Sequence, residues 1–238
     1  MTSLGVGAAN SAPCALPGTS SGTVSAVRDG RTLQLADGRD VRLAFIEGAD
    51  RGAGALRTLV DGRTLRLDHA SPGTDRYGRL VAFATLPGAA QSVQETLLAQ
   101  GEALVSARIG SKTCAEALLA AERAARTAGR GRWADPNFAP LSSENLPGLD
   151  AARGRFALVE GRVLSVRESG ATIYMNFGRR WTRDFTVTLL KRRQGTFAAA
   201  GLDVKELEGR RVRVRGWIER RGGPIIDAAA PEQIELVD

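Results

Sequence analysis

Histidine and cysteine are almost missing from this chain of 238 residues: His69 is the one histidine, and Cys14 and Cys114 are the two cysteines. A structural zinc site takes four ligands drawn from those two residue types, so zinc of ordinary coordination is excluded. No run of eighteen apolar residues occurs, which excludes a membrane-spanning helix. The opening M-T-S-L-G-V-G-A-A-N-S-A-P-C lacks the basic start and apolar core of a signal peptide; it reads as such a peptide's remnant if the start codon is misassigned. Lysine is scarce too. The basic residues are overwhelmingly arginine, whose planar fork bonds two phosphate oxygens at once.

What is present is positive charge, unevenly spread. The formal net charge is +7. Residues 1–150 hold 16 basic and 15 acidic side chains, and residues 151–238 hold 17 and 11. A basic balance fits a polyanionic partner, either nucleic acid or a membrane surface.

The chain is organised around residues 24–79. Apolar side chains alternate at Val24, Ala26, Leu33, Leu35, Val41 and Leu43, which is strand periodicity. Asp29-Gly30 and Asp37-Gly38 mark tight turns between antiparallel strands. Charged residues fall where strands end: Asp29, Arg42, Glu47, Asp50 and Arg79.

The motifs D-G-R-T (29–32), V-R-L (41–43), E-G-A-D (47–50) and D-R-Y-G-R (75–79) resemble, in order and spacing, the staphylococcal-nuclease (thermonuclease-like) family. The run A-E-R-A-A-R-T-A-G-R-G-R-W, ending at Trp133, is similar to that family's last helix. The resemblance covers roughly residues 20–137. It implies a small barrel with helices, phosphodiester hydrolysis, a Ca²⁺ ion held by carboxylates, a Glu that handles the attacking water, and two phosphate-binding arginines. Carried over, the arginines are Arg42 and Arg79, and Tyr77 borders the phosphate. Each also has a structural reading: the arginines can pair with Asp29 or Glu47 at a strand end, and Tyr77 can be a core ring.

Three positions depart from the family pattern. A metal-binding Asp is Arg31 here. A second metal Asp is Glu47, one methylene longer, and the Glu base is Asp50, one methylene shorter. That leaves Asp29 and Glu47 as candidate metal ligands and Asp50 as candidate base. Ca²⁺ wants six to eight oxygens, with affinity set by ligand charge. Exchanging a carboxylate for a guanidinium shifts the local charge by two units. At roughly 5 Å and an effective dielectric near 20, each is worth about 3 kcal/mol. The residues therefore favour phosphate binding and count against the Ca²⁺ that the resemblance implies. If family placement holds, Arg31 pairs with Glu47 or Asp50; otherwise it points to solvent.

Further along, Ser92 with Glu95 forms a capping box. Thr113 is the expected N-cap of a longer helix ending at Gly129, with Arg123, Arg126, Arg130 and Arg132 mainly on its other face or its tail; a solvated face is the expected role, and phosphate binding is the alternative. After residue 155 the order is three strands, a helical stretch and two or more strands, which is OB-fold order. The expected fold is mainly β (α+β), with two OB-fold-like barrels in tandem. Expected boundaries are a flexible arm at 1–21, a first barrel domain at 22–137, a linker at 138–155 and a second barrel domain at 156–238. In the second domain Tyr174, Phe177, Trp181 and Trp217 interleave with Arg179, Arg180, Arg183 and the arginines of 213–221. Aromatics beside a basic groove hold single-stranded DNA or RNA by stacking, and alternation can equally bury some of these rings.

Three roles are open at this point: a phosphodiesterase using Arg42, Arg79 and Asp50, a nucleic-acid-binding module on a retired nuclease scaffold, and a protein-interaction module. Because only two cysteines exist and one lies in a loose arm, a Cys14–Cys114 disulfide is expected, and with it a periplasmic or secreted location. Two free thiols in a cytoplasmic protein is the rival.

Overall fold

The computed structural model describes residue 14, residues 16–48 and residues 52–237. Asp50 and most of the N-terminal arm lie outside the described residues.

The strands of the first half are β1 (Gly18–Asp29), β2 (Thr32–Leu35), β3 (Asp40–Leu43) and β4 (Ile46–Gly48). Helix α1 (Gly52–Val60), β5 (Thr64–Thr74), β6 (Leu80–Thr85), α2 (Val93–Ala99), β7 (Ala103–Val105) and α3 (Lys112–Thr127) follow. Five strands close into a barrel in the order β1-β2-β3-β6-β5, with β3 and β6 parallel. The alternation that predicts these strands is the alternation of burial: Val24, Leu33, Leu35, Val41 and Leu43 all face the core. Gly18–Ser21, read as part of the arm, already belong to β1 and pair with β5 from His69 to Arg66.

Helix α2 begins at Ser92, whose hydroxyl caps Glu95 N while the Glu95 carboxylate reaches back to Ser92 N at 2.8 Å. Gln94 is fully buried and satisfies loose backbone groups: its amide accepts from Ala84 N and donates to Ala82 O and Ala44 O. Helix α3 is capped by Ser111, two residues before the expected Thr113. Its first turn carries Cys114, joined by a disulfide to Cys14.

The second half has β8 (Leu141–Ser142), α4 (Leu146–Ala151), β9 (Phe156–Arg162), β10 (Ser165–Ser169), β11 (Thr172–Asn176) and β12 (Thr186–Leu190). Then come α5 (Gln194–Ala199), β13 (Arg211–Trp217), β14 (Glu219–Arg221), β15 (Gly223–Ala228) and β16 (Ile234–Leu236). Element order predicts a second OB-fold-like barrel here. The strands pair as two sheets, β10-β11-β12-β15-β14 and β16-β13-β9-β8. The chain runs from one sheet into the other with almost no loop at Val163–Leu164, between β9 and β10, and at Ile218, between β13 and β14; it also crosses between β12 and β13 and between β15 and β16. Val163 and Ile218 are buried there, so each break is anchored in the core. The residues read as a linker contribute β8 and α4, and Leu149 of α4 is fully buried in the second core.

Each half has its own buried cluster. They meet at α3. Glu122, fully buried on that helix, takes a two-pronged ion pair from Arg215 of β13 at 2.9 and 3.0 Å.

Candidate functional site

The barrel site begins with the β1–β2 turn. Asp29 Oδ1 accepts from Arg31 N at 2.8 Å, the usual way an Asp closes a tight turn. Strand β4 packs directly on this turn. A Cβ on Gly48 would stand 2.5 Å from Gly30 O, so only glycine permits the approach. Glu47, one residue earlier, is thereby brought against Arg31, and the two form a hydrogen-bonded ion pair. Both side chains are about 15% exposed. Burial pushes the Glu47 carboxyl above its usual range, against the pull of Arg31 and Arg42.

Arg42 lies on β3, paired with Thr32 on one side and Val81 on the other. No acid stands within ion-pair distance of it among the described residues. Burial, with Arg31 and Arg79 as like-charged neighbours, lowers its pKa; Glu47 and Asp29 oppose that shift. Arg79 starts the return into β6. Its Nε and Nη2 donate to Asp75 Oδ2 at 2.9 and 2.7 Å. Burial disfavours the Asp75 carboxylate, but hydrogen bonds from Arg79 and two backbone N–H groups hold its pKa below the ordinary value. Tyr77 is no core ring: it is 65% exposed, with the Arg79 guanidinium 5.1 Å from its ring centre.

The structure thus brings Arg31, Arg42, Glu47, Asp29 and Arg79 into one electrostatic neighbourhood, with Tyr77 at its border. The Ca²⁺ donor set does not fit. Glu47 Oε2 is taken by Arg31, Asp29 Oδ1 is taken by its own turn, and no group of three acid, His or Cys side chains gathers among the described residues. A cation placed here would face the Arg31 guanidinium. Asp75 is the partner that sequence reading passed over, although D-R-Y-G-R contains it four residues before Arg79.

With this geometry in view, one comparison bears on the barrel. Residues 38–135 match the staphylococcal nuclease homologue family. The match takes in Arg42, Glu47, Tyr77 and Arg79, and begins after the turn that carries Arg31. The matched stretch includes α3 and ends in the short turn after Trp133. The matched family is typically Ca²⁺-dependent, which sets the Arg31–Glu47 pair apart. No curated protein matches the chain.

The second half divides its candidates. Tyr174 and Trp181 line one groove on the outer face of the five-stranded sheet. Arg179 and Arg180 sit beside it on the exposed 178–184 loop, which is tied by Arg180 N to Asp184 at 2.8 Å. Phe177 is buried against Phe185, 5.0 Å between ring centres. Trp217 lies on the other sheet, edge-on to Phe156, and does not join Trp181. The reading of 213–221 as a nucleic-acid surface is corrected at Arg215, which is 1% exposed and spent on Glu122 and Glu235. Arg213 pairs with Glu160 at 2.6 Å. Arg126, expected on a solvated face of α3, is 13% exposed and pairs with Glu122 and Glu235. The missed signal was the pair of acids Glu122 and Glu235, each facing basic residues of the other half.

Proposed function

We propose that the staphylococcal-nuclease-like domain binds the phosphodiester backbone of nucleic acid through Arg42 and Arg79 without Ca²⁺, and that any hydrolysis is weak. The observation that carries this is the ion pair of Arg31 with Glu47 where the family places metal-binding carboxylates, next to an Arg42 that has no acid of its own among the described residues. A phosphate would find two guanidinium groups and a border tyrosine there. Fixed positive charge stabilises charge on phosphate oxygens but does not lower the pKa of water as a metal does. Asp50 remains the proposed base, a methylene short of the family Glu, and reach decides the efficiency of a base. The same ion pair favours a second reading, a nucleic-acid-binding module on a retired nuclease scaffold. The second half is proposed as OB-fold-like from its strand order β10-β11-β12-β15-β14, which repeats β1-β2-β3-β6-β5 with its third and fourth strands again parallel. The disulfide supports export to an oxidising compartment.

The test is degradation and binding of single-stranded DNA and RNA with Ca²⁺, Mg²⁺, Mn²⁺ or EDTA, beside Ca²⁺ calorimetry of the native protein and Arg31→Asp. Salt-sensitive binding, slow cleavage indifferent to Ca²⁺, and Ca²⁺ uptake appearing only in Arg31→Asp are expected. Binding without any cleavage selects the second reading. Tight Ca²⁺ binding by the native protein, unchanged in Arg31→Asp, overturns both.

A further inference from the structure

We infer that the outer face of the five-stranded sheet holds a single strand of nucleic acid, with a base stacked on Tyr174 or Trp181 and its edge read at Asp227. The groove encloses about 510 Å³. Its floor is the face that alternation turns away from the core. Ile173, Met175, Val187, Leu189 and Ile226 pack inward, while Thr172, Tyr174, Asn176, Thr186, Thr188 and Asp227 line the groove.

Pairing registers place four of these side chains in one row across the sheet. Arg167 is opposite Tyr174, Tyr174 is opposite Thr188, and Thr188 is opposite Asp227. The row runs from a cation, through a ring, to a hydroxyl and a carboxylate. That sequence suits a nucleotide: phosphate to Arg167, base on the ring, base edge to the acceptor. A second cation, Arg221, stands on the opposite edge strand, so both rims carry a guanidinium and the floor carries the acid. An acid on the floor repels phosphate, which leaves the base side of the strand to face the sheet.

Both rim arginines can be recruited. Arg167 pairs with Glu208 at 3.8 Å and Arg221 with Glu219 at 3.1 Å, with all four side chains about half exposed or more. Exposed pairs of this kind are weak and exchange readily for a phosphate. Trp181 is 70% exposed at the mouth, a large ring with no packing role that accounts for its position. Asp227 Oδ1 accepts from the Thr188 hydroxyl at 2.7 Å, which orients the carboxylate. Its other oxygen has no protein donor among the described residues. A carboxylate accepts from an amino group, such as cytosine N4, whereas the one donor on the same edge of an unpaired thymine, N3–H, lies between two carbonyls that repel the carboxylate. The site therefore prefers amino-bearing bases.

This inference rests on the nucleic-acid reading of the whole chain, and its test keeps the two sites apart. Fluorescence anisotropy of labelled oligo-dC, oligo-dT and a duplex is measured with the full chain. Oligo-dC is expected to bind more tightly than oligo-dT, and both more tightly than the duplex at this site. Tyr174→Ala with Trp181→Ala should weaken single-strand binding about tenfold or more, as two stacking rings are lost. Asp227→Ala should remove the preference for oligo-dC. Arg42→Ala with Arg79→Ala should lower affinity and leave that preference intact, which separates failure of the barrel site from failure of the groove. Quenching of tryptophan fluorescence by oligo-dC should shrink in Trp181→Phe, an exposed change that leaves the fold alone. Unchanged affinity in the double aromatic variant, or equal binding of oligo-dC and oligo-dT, overturns the inference. So does capture of an extended peptide by the groove in place of either oligonucleotide.

Discussion

Arg42 and Arg215 occupy the same kind of place in sequence, each following a valine that is fully buried in a strand. Arg215 is sealed beneath α3, gripped by both oxygens of Glu122, by Glu235 and by Val105 O at 3.1 Å. The acids more than repay its burial, and its pKa is raised. Arg42 is only partly withdrawn from solvent, its charged neighbours are Arg31 and Arg79 as well as Glu47 and Asp29, and burial lowers its pKa. Strand alternation sends both side chains away from a barrel or sheet interior. What differs is what covers the outer face. A helix bearing a carboxylate turns an arginine into a structural bolt, whereas among the described residues no helix covers Arg42 and no acid pairs with it, which is what the proposed phosphate contact requires.

The most damaging way to break this contrast is Arg215→Met. It strands Glu122 without its main partner and should cost about 3–5 kcal/mol, read from urea unfolding. Adding Glu122→Met should return only part of that loss: an apolar pair replaces the two ions, but Val105 loses the partners of its N–H and C=O. Reduction of Cys14–Cys114, which frees the other end of α3, should cost about 2–4 kcal/mol, because the bridge restricts the unfolded chain. Melting with and without dithiothreitol measures it. Arg42→Ala should leave stability nearly unchanged and weaken oligonucleotide binding about tenfold, with the salt slope falling by roughly 0.7 for the lost phosphate contact. Arg79→Ala should weaken it less, since Arg79 must first leave Asp75. Affinity at two ionic strengths decides between them.

The smallest effect concerns pH. Glu47 has a raised pKa, so it takes up a proton as pH falls towards the ordinary glutamate value, before a free glutamate does. Neutralising it removes one negative charge beside Arg31 and Arg42, and phosphate binding should tighten about threefold across that window. The sign for stability is the same: the folded form holds the proton more tightly, so this group's contribution is full below the unfolded pKa and is lost as pH rises through the folded one. Glu47→Gln should bind more tightly at neutral pH and lose the pH step, as titrated anisotropy would show.

Much of the first half was legible. Alternation and Asp-Gly turns are local signals, and they located β1, β2 and β3 together with Arg42. Ser92 and Glu95 announced α2 in the same way. The Arg31–Glu47 contact was legible only through the family resemblance, because the intervening residues carry no sign that β4 folds back onto the β1–β2 turn. In the second half alternation correctly separated Val212 and Val214 from Arg213 and Arg215, yet it could not say that α3 roofs the arginine side. Nor could it show where a strand changes sheet: Val163 and Ile218 are ordinary apolar residues whose effect depends on which neighbours accept hydrogen bonds from either side.

The Cys14–Cys114 link spans 100 positions of sequence. It makes the barrel, α1 and α2 a covalent ring with the second half as its tail. A protease that cuts once within that ring opens it without releasing a fragment. The nicked protein should run as one species on a non-reducing gel and as two after reduction, with its strands still paired. In a protease-rich surrounding, the loops at 36–39 and 86–91 become places where the chain can be broken and the molecule survive.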